Sequence, residues 1–393
     1  MVNYMNMEKI YSTNDKIKHI SSVRFHPESD LVAIGTSKYE NNVILLDIKT
    51  KQIKNELSVI SLLEDYADHP SCVCFSHEGS LIAAGSYAGT CFLWDTNTSE
   101  LLKIFDLENF KGGQSKITEV IFSPNEDLIG VSTGTKCEFF NLKTYKKIQE
   151  LKSSNELYFL NDFSPDGTLC SIGGSKEQTN SNFFGLYNIK TGKIIMKFPL
   201  FNCVMPNSCF SPDGNFLAIS VSDVAIGSTD NNVILYDITN EKIKKRISGF
   251  SRFTRDVRFS PDGNFLAIPT GNDCVLYNIK KDEKSVISFY PITNADFSSD
   301  GNYLILGSYD GDVYLSKLES LIETPIVTSF SENNIFNIKC PFCNNIFEFS
   351  EDNLDSMITC NCGKNLKVNP FTLTKEKTKK EKKGFLSNLL SKR

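Results

Sequence analysis

The sequence predicts an all-β protein built from repeated four-stranded units, followed by a small cysteine module and a basic tail. The decapeptide FSPDGNFLAI occurs twice, at residues 210–219 and 259–268. Two close cysteine pairs follow the repeats, and a lysine-rich segment follows the cysteines. Because internal self-similarity is the signature of repeat architectures, the repeated decapeptide determines the fold class.

Weaker copies of the decapeptide occur along the first four-fifths of the chain, each opening on a Phe that follows an apolar run. The opening residues of the seven copies are Phe25, Phe75, Phe122, Phe163, Phe210, Phe259 and Phe297. In each copy a polar link, mostly of Ser, Pro, Asp and Gly, separates this Phe from a second apolar run. Such a pattern predicts a strand, a tight turn and a second strand.

A third predicted strand follows in every copy and in six of them ends in an apolar residue followed by a short acid or amide. Trp94-Asp95, Tyr187-Asn188 and Tyr236-Asp237 are examples, and the last copy departs from the rule with Ser316-Lys317. A fourth, more polar strand comes next, and its polarity suits the outer edge of a sheet.

Units of this kind resemble those of the WD40-repeat family, in which each repeat forms one blade of a β-propeller. The resemblance covers about residues 8–318 and implies a seven-bladed propeller, although the family's Gly-His pair before the first strand is missing. We expect residues 7–13 to complete the seventh blade and close the ring, with residues 325–330 as the competing segment.

Variation in loop length is confined to one end of the predicted propeller. The first-to-second strand turns keep one length, from Phe25 to Leu31 through Phe297 to Tyr303, whereas the second-to-third strand links vary. Variable loops on a rigid scaffold are the usual place for binding, so we expect a protein partner on this rim. The loop residues expected to contribute are Tyr39, Tyr66, Tyr87, Phe110, Lys176, Phe201, Phe250, Arg252, Phe253, Tyr290 and Tyr309. The alternative is that many of these rings only cap the blades.

The cysteine module holds Cys340, Cys343, Cys360 and Cys362 in a C-x2-C pair and a C-x-C pair. This spacing resembles that of a zinc ribbon, in which four thiolates fill a tetrahedral shell around one structural Zn²⁺. The second pair is one residue shorter than usual. An iron site and four free thiols are the competing interpretations.

Charge is unevenly distributed along a chain whose formal net charge is −5. Residues 374–393 carry eight Lys/Arg and two Glu, and four apolar residues near the end (Phe385, Leu386, Leu389 and Leu390) lie on one face of a short predicted helix. Such a tail is expected to be disordered, with weak contact to an anionic membrane, nucleic acid or a partner groove as the possible roles. A tail without any function is the competing interpretation.

Composition and motifs favour a non-enzymatic scaffold in the cytoplasm. No signal-peptide core, membrane-length apolar run, Walker loop or other catalytic motif is found, and eight cysteines scattered through the repeats are typical of reduced core residues. We expect a propeller at residues 1–318, a linker at 319–334, the zinc-ribbon-like module at 335–370 and the tail at 371–393. The runner-up function is a nucleic-acid adaptor that uses the ribbon and the tail, and an enzyme acting through the propeller's channel ranks third.

Overall fold

The computed structural model describes residues 7–13, 19–37, 42–59, 68–107, 116–125, 127–152, 156–176, 181–201, 207–221, 232–250, 254, 256–288, 291–318, 324–332 and 335–374. In these residues the chain forms seven four-stranded antiparallel sheets and one five-stranded sheet. The predicted all-β class with propeller-like blades is therefore confirmed.

Strand β1 (Met7–Ser12) precedes the first three blades, each of which contains four consecutive strands. Blade 1 contains β2 (Ile20–Phe25), β3 (Leu31–Thr36), β4 (Val43–Asp47) and β5 (Gln52–Leu57). Blade 2 contains β6 (Pro70–Phe75), β7 (Leu81–Ser86), β8 (Thr90–Asp95) and β9 (Leu101–Asp106). Blade 3 contains β10 (Glu119–Phe122), β11 (Leu128–Ser132), β12 (Lys136–Asn141) and β13 (Lys147–Lys152).

Blades 4 to 6 repeat the same order of strands. Blade 4 contains β14 (Glu156–Phe163), β15 (Leu169–Lys176), β16 (Ser181–Asn188) and β17 (Lys193–Phe201). Blade 5 contains β18 (Ser208–Phe210), β19 (Phe216–Val221), β20 (Asn232–Asp237) and β21 (Lys242–Ile247). Blade 6 contains β22 (Arg258–Phe259), β23 (Phe265–Pro269), β24 (Cys274–Asn278) and β25 (Glu283–Ser288).

Blade 7 joins the two ends of the propeller. It contains β26 (Ile292–Phe297), β27 (Tyr303–Ser308) and β28 (Asp312–Lys317), and β1 pairs antiparallel with β28 as the fourth strand. The inner strands of blades 7 and 1 are in contact, because the N–H of Phe25 donates to Asp296 Oδ2 at 2.8 Å. The N-terminal segment thus removes the open edge that blade 7 would otherwise present.

The first-to-second strand turns are built alike in all seven blades. The residue after each opening Phe donates its N–H to the carbonyl that begins the second strand, from His26 to Leu31 (2.9 Å) through Ser298 to Tyr303 (3.0 Å). In the Ser-x-Asp-Gly turns the Ser hydroxyl also donates to the Asp carboxylate, as in Ser298 to Asp300 at 2.6 Å. The uniform length of these links therefore follows from one hydrogen-bonded turn.

In blades 1 to 6 the third strand ends in a short acid or amide, which caps the turn into the fourth strand. Its Oδ1 accepts the N–H three residues later at 2.8 to 2.9 Å, in the pairs Asp47/Thr50, Asp95/Thr98, Asn141/Thr144, Asn188/Thr191, Asp237/Asn240 and Asn278/Lys281. Blade 7 has no such hairpin, because β1 supplies its fourth strand from the other end of the chain. Ser316-Lys317 consequently has no turn to cap.

The hydrophobic core lies between neighbouring blades. One cluster joins blades 3 and 4, where the rings of Phe139 and Tyr187 stack at 5.6 Å between centroids. Burying a large apolar side chain stabilises a fold by about 1.5 to 3 kcal/mol. Each blade therefore depends on its neighbours for most of its stability.

The C-terminal sheet begins earlier and ends later than the sequence indicates. It contains β29 (Ile326–Glu332), β30 (Ile335–Lys339), β31 (Ile346–Glu348), β32 (Met357–Thr359) and β33 (Asn365–Thr374), with one 3-10 turn at Glu351–Asn353. The expected linker at 319–334 therefore contains a strand, because β29 pairs parallel with β33 and antiparallel with β30. Among the described residues, no helix has the length and apolarity needed to cross a membrane.

Candidate functional site

The four cysteines of the C-terminal sheet come together at one point. Their sulfur atoms all lie within 4.8 Å of one another, with 3.8 Å between Cys340 and Cys362 and 3.6 Å between Cys343 and Cys360. Four sulfurs about 2.3 Å from a tetrahedral Zn²⁺ would be about 3.8 Å apart. The four thiols are therefore arranged as a metal site.

Two tight turns at strand ends present these sulfurs. After β30, the N–H of Asn344 donates to the carbonyl of Cys340 at 2.8 Å. After β32, the N–H of Gly363 donates to the carbonyl of Cys360 at 2.8 Å, and Gly363 has a φ of +82° that favours glycine. The shorter second pair thus reaches the common point through a turn that only its glycine forms without strain.

The environment of the thiols is uneven. Burial raises the pKa of the Cys340 thiol to about 12, whereas the pKa of exposed Cys362 is lowered to about 7, first by the backbone N–H of Lys364. Thiolate is the form that binds metal, and a bound cation favours that form for all four ligands. The thiol of Cys362 therefore ionises more readily than that of Cys340.

The C-terminal sheet lies against the turn end of the propeller, where the first-to-second strand turns are found. The N–H of Ile326 donates to the carbonyl of Pro261 at 2.8 Å, and Asn369 Nδ2 donates to the carbonyl of Pro212 at 3.0 Å. A chamber of about 550 Å³ lies between the sheet and the turns of the blades. The end of the propeller with the variable loops, which we call the loop end, is on the opposite side.

Two of the predicted partner residues are accessible at the loop end. Tyr309 is 54% exposed and Tyr87 is partly exposed, whereas Phe250 is buried at 6% in the core between blades 5 and 6. Lys176 and Phe201 are the last residues of β15 and β17. The remaining six, Tyr39, Tyr66, Phe110, Arg252, Phe253 and Tyr290, lie outside the described residues.

A row of stacked side chains crosses the loop end from blade 7 to blade 3. Tyr309 stacks on His19 at 5.4 Å, His19 meets His69 edge to face at 6.3 Å, and His69 stacks on Tyr87 at 4.2 Å. The ammonium of Lys116 lies 4.1 Å from the centroid of the Tyr87 ring. We call these five residues the aromatic row.

Sequence reasoning found the two tyrosines of the aromatic row but missed its other members. Aligned on Phe25, Phe75 and Phe122, the residues His19, His69 and Lys116 each come six positions before the opening Phe. The tyrosines share a repeat position as well, because Tyr87 and Tyr309 each come twelve positions after Phe75 and Phe297. Comparing side chains at equal positions of the repeats is the signal that would have found the row.

Charged side chains line the central channel below the aromatic row. Asp256 is 4% exposed, with one carboxylate oxygen 3.4 Å from Arg258 and the other 4.0 Å from Arg24. Burial raises the pKa of Glu119 to about 7 and that of Asp162 to about 6, and the two arginines oppose both shifts. The acids and arginines of the channel thus offset one another's charge in one network.

Comparison with known proteins points to repeat proteins of one class. The model of the WD40 family (WD domain, G-beta repeat) matches residues 60–95 and 284–315, which include strands of blades 2, 6 and 7. These matches, together with WD-repeat relatives, support the WD40-repeat family for the chain.

Particular relatives cover only parts of the chain. The small ribosomal subunit protein RACK1 of Schizosaccharomyces pombe is 34% identical over 124 residues, which are 28% of this chain and 38% of the relative. A putative BTB/POZ domain and WD-repeat protein of Acanthamoeba polyphaga mimivirus is 30% identical over 155 residues, 37% of this chain and 28% of the relative. A WD repeat-containing protein of Schistosoma mansoni is 24% identical over 201 residues, 49% of this chain and 60% of the relative. The chain thus matches less than two thirds of the length of each of these relatives.

Proposed function

We propose that the protein is a non-enzymatic scaffold of the cytoplasm that holds a protein partner on the loop end of its propeller. The observation that carries this proposal is the aromatic row, which places Tyr309, His19, His69, Tyr87 and Lys116 on the end that the C-terminal sheet leaves uncovered. Tyrosine is among the residues that contribute most to binding at interface hot spots. The WD-repeat relatives support the same class of function.

The four-cysteine site completes the proposal as the site of one structural Zn²⁺ per chain. Four thiolates satisfy a tetrahedral ion and leave no position for a reacting water. The described cysteines of the propeller are free thiols, which suits a reducing compartment such as the cytoplasm.

Partner capture by single-residue variants tests the scaffold. Proteins that co-purify with the tagged full chain are compared between wild type, Tyr309→Ala and Tyr87→Ala. A matched control is Ile195→Ala, which removes a side chain that is 57% exposed on the outer strand β17 of blade 4. We expect both tyrosine variants to lose a specific partner about tenfold or more, as at an interface hot spot, and the control to keep it. Equal capture by all four proteins would refute the use of this surface.

Metal analysis of the purified full chain tests the zinc site. We expect about one zinc and little iron per chain. Less than about half a zinc per chain in protein purified without chelators would contradict the assignment.

A further inference from the structure

We propose that the metal in the four-cysteine site works as a latch, which holds one side of the C-terminal sheet on the turn of blade 1. The inference rests on the metal site proposed above and concerns how that site regulates the position of the sheet.

The contacts to blade 1 are made by residues next to the metal ligands. Lys339, which precedes Cys340, forms an ion pair with the carboxylate of Glu28. Asn344, which follows Cys343, donates from its side-chain amide to the carbonyl oxygen of Glu28. Both of these contacts are therefore made by residues that directly adjoin the first cysteine pair, Lys339 at the end of β30 and Asn344 in the turn that follows.

Two backbone hydrogen bonds close that turn, from the N–H of Asn344 to the carbonyl of Cys340 at 2.8 Å and from the N–H of Cys340 to the carbonyl of Asn345 at 3.0 Å. Asn344 has a φ of +59°, a left-handed conformation that asparagine adopts more readily than other residues besides glycine. The apolar cluster of the sheet is small, with Ile338, Leu366 and Val368 as its buried members besides Cys340 and Cys360. A module of this size depends on bound metal for its folding, so loss of the metal is expected to release this turn first.

The contacts on the opposite side do not involve the cysteine turns. Ile326 of β29 and Asn369 of β33 bind the carbonyl oxygens of Pro261 and Pro212, the same atom in the identical turns of blades 6 and 5. Asn369 is 1% exposed, and its amide also donates to Thr328 Oγ1 at 2.8 Å, which links β33 to β29. The parallel pair of β29 and β33 thus stays anchored without the metal and serves as the hinge.

Loss of the contacts to Glu28 would expose the chamber between the sheet and the propeller on the side of blades 1 and 2. Pro27, Glu28, His77 and Glu78 line the chamber there. The apolar rings of Phe75, Phe163 and Phe259 also line it, and their exposure to water costs free energy, which favours the closed form.

Hydrogen exchange of the full chain, measured by mass spectrometry before and after removal of zinc with a chelator, tests the latch. We expect peptides covering residues 26–31 to exchange about tenfold or more faster after chelation, the effect of losing a charge-assisted contact. Peptides covering the turns of blades 5 and 6, at residues 211–216 and 260–265, are expected to keep their protection.

The variant Glu28→Ala separates the latch from metal binding. It should retain zinc and yet show the faster exchange of residues 26–31, whereas Glu156→Gln is the control because it removes a comparable pair, with Lys197 at 3.0 Å, from blade 4. If the purified chain binds zinc fully and residues 26–31 keep their protection after the zinc is removed, the latch is overturned but the metal site stands. Loss of protection in all three turns overturns the hinge, and absence of zinc from the purified chain overturns the metal site itself.

Discussion

Asp162 Oδ2 accepts a hydrogen bond of 2.8 Å from the backbone N–H of Phe210, and so ties the inner strand of blade 4 to the inner strand of blade 5. Asp296 makes the same contact with Phe25 between blades 7 and 1. Both acids come directly before the opening Phe of their blades. This repeat position therefore supplies contacts between blades in a chain that has no Gly-His pair.

Asp162→Ala is expected to destabilise the fold by about 1 to 3 kcal/mol, because the N–H groups of Phe210 and Phe163, which donate to its two carboxylate oxygens, would be left without an acceptor. Asp162→Asn keeps one acceptor oxygen for one of these two N–H groups and should lose less. The measurement is the free energy of unfolding in urea, monitored by fluorescence of the buried Trp94. An equal loss in both variants would show that the charge of Asp162, rather than its hydrogen bond, is what matters.

The repeats made the architecture of the propeller predictable. Seven opening Phe residues, turns of one length and an acid or amide after the third strand together define a blade, and the structure explains each by a particular hydrogen bond. Ser316-Lys317, where the acid or amide is missing, is explained too, because β1 is the fourth strand of blade 7 and no turn follows β28 into it.

Contacts between distant segments could not be predicted from local patterns. Strand β29 lies in the expected linker at 319–334 and includes most of residues 325–330, the competing segment for the seventh blade, but it joins the C-terminal sheet instead. Its pairing with β33, some forty residues later, is parallel and leaves no hairpin signal in the sequence. The residues that line the central channel can be found only by superimposing the repeats. Arg24, Asp162, Arg258 and Asp296 then share one repeat position, directly before the opening Phe. The side of the propeller on which the C-terminal sheet docks depends on three turns at once and has no sequence signature.

Glu119 is expected to make the stability of the protein depend on pH. Burial raises its pKa from 4.5 to about 7 in the folded state, so the folded state binds the proton more tightly than the unfolded one. Its contribution to stability is complete below pH 4.5 and is lost as the pH rises through 7.

Glu119→Gln removes this dependence. From pH 4.5 to pH 8, the unfolding free energy of the variant should rise by about 1 to 2 kcal/mol relative to that of wild type. This value is smaller than the pKa shift alone would give, because water in the channel screens the charge. The measurement is the difference between the two unfolding free energies across that range. A difference that does not change with pH would contradict the raised pKa.

Gly79→Ala is expected to damage the contact between the turns of blades 1 and 2. His26 Nε2 lies 3.1 Å from the carbonyl oxygen of Gly79, and a Cβ added there would overlap the imidazole ring. The φ of Gly79 is +74°, which adds about 1 to 2 kcal/mol of strain for alanine.

Gly271→Ala separates the cost of backbone strain from the cost of overlap with the His26 ring. Gly271 has a similar φ of +79°, but a Cβ added there would meet no atom within 4 Å. We expect Gly79→Ala to destabilise the protein by about 1 to 3 kcal/mol more than Gly271→Ala, as overpacking does. Thermal and urea unfolding of both variants provide the comparison, and equal losses would mean that the ring of His26 moves aside freely.

Cys360→Ser is expected to abolish metal binding while the propeller stays folded. Cys360 is 3% exposed and its sulfur lies 3.6 Å from that of Cys343, so a hydroxyl in its place leaves three thiolates and weakens the site strongly. The propeller core forms between blades and does not include these residues. The zinc content should therefore fall to near zero, while the main thermal transition shifts by no more than about 3 °C.

Cys74→Ser, which changes a propeller thiol away from the site, should retain the metal. A collapse of the main transition in Cys360→Ser alone would show that the propeller requires the docked C-terminal sheet for its own stability.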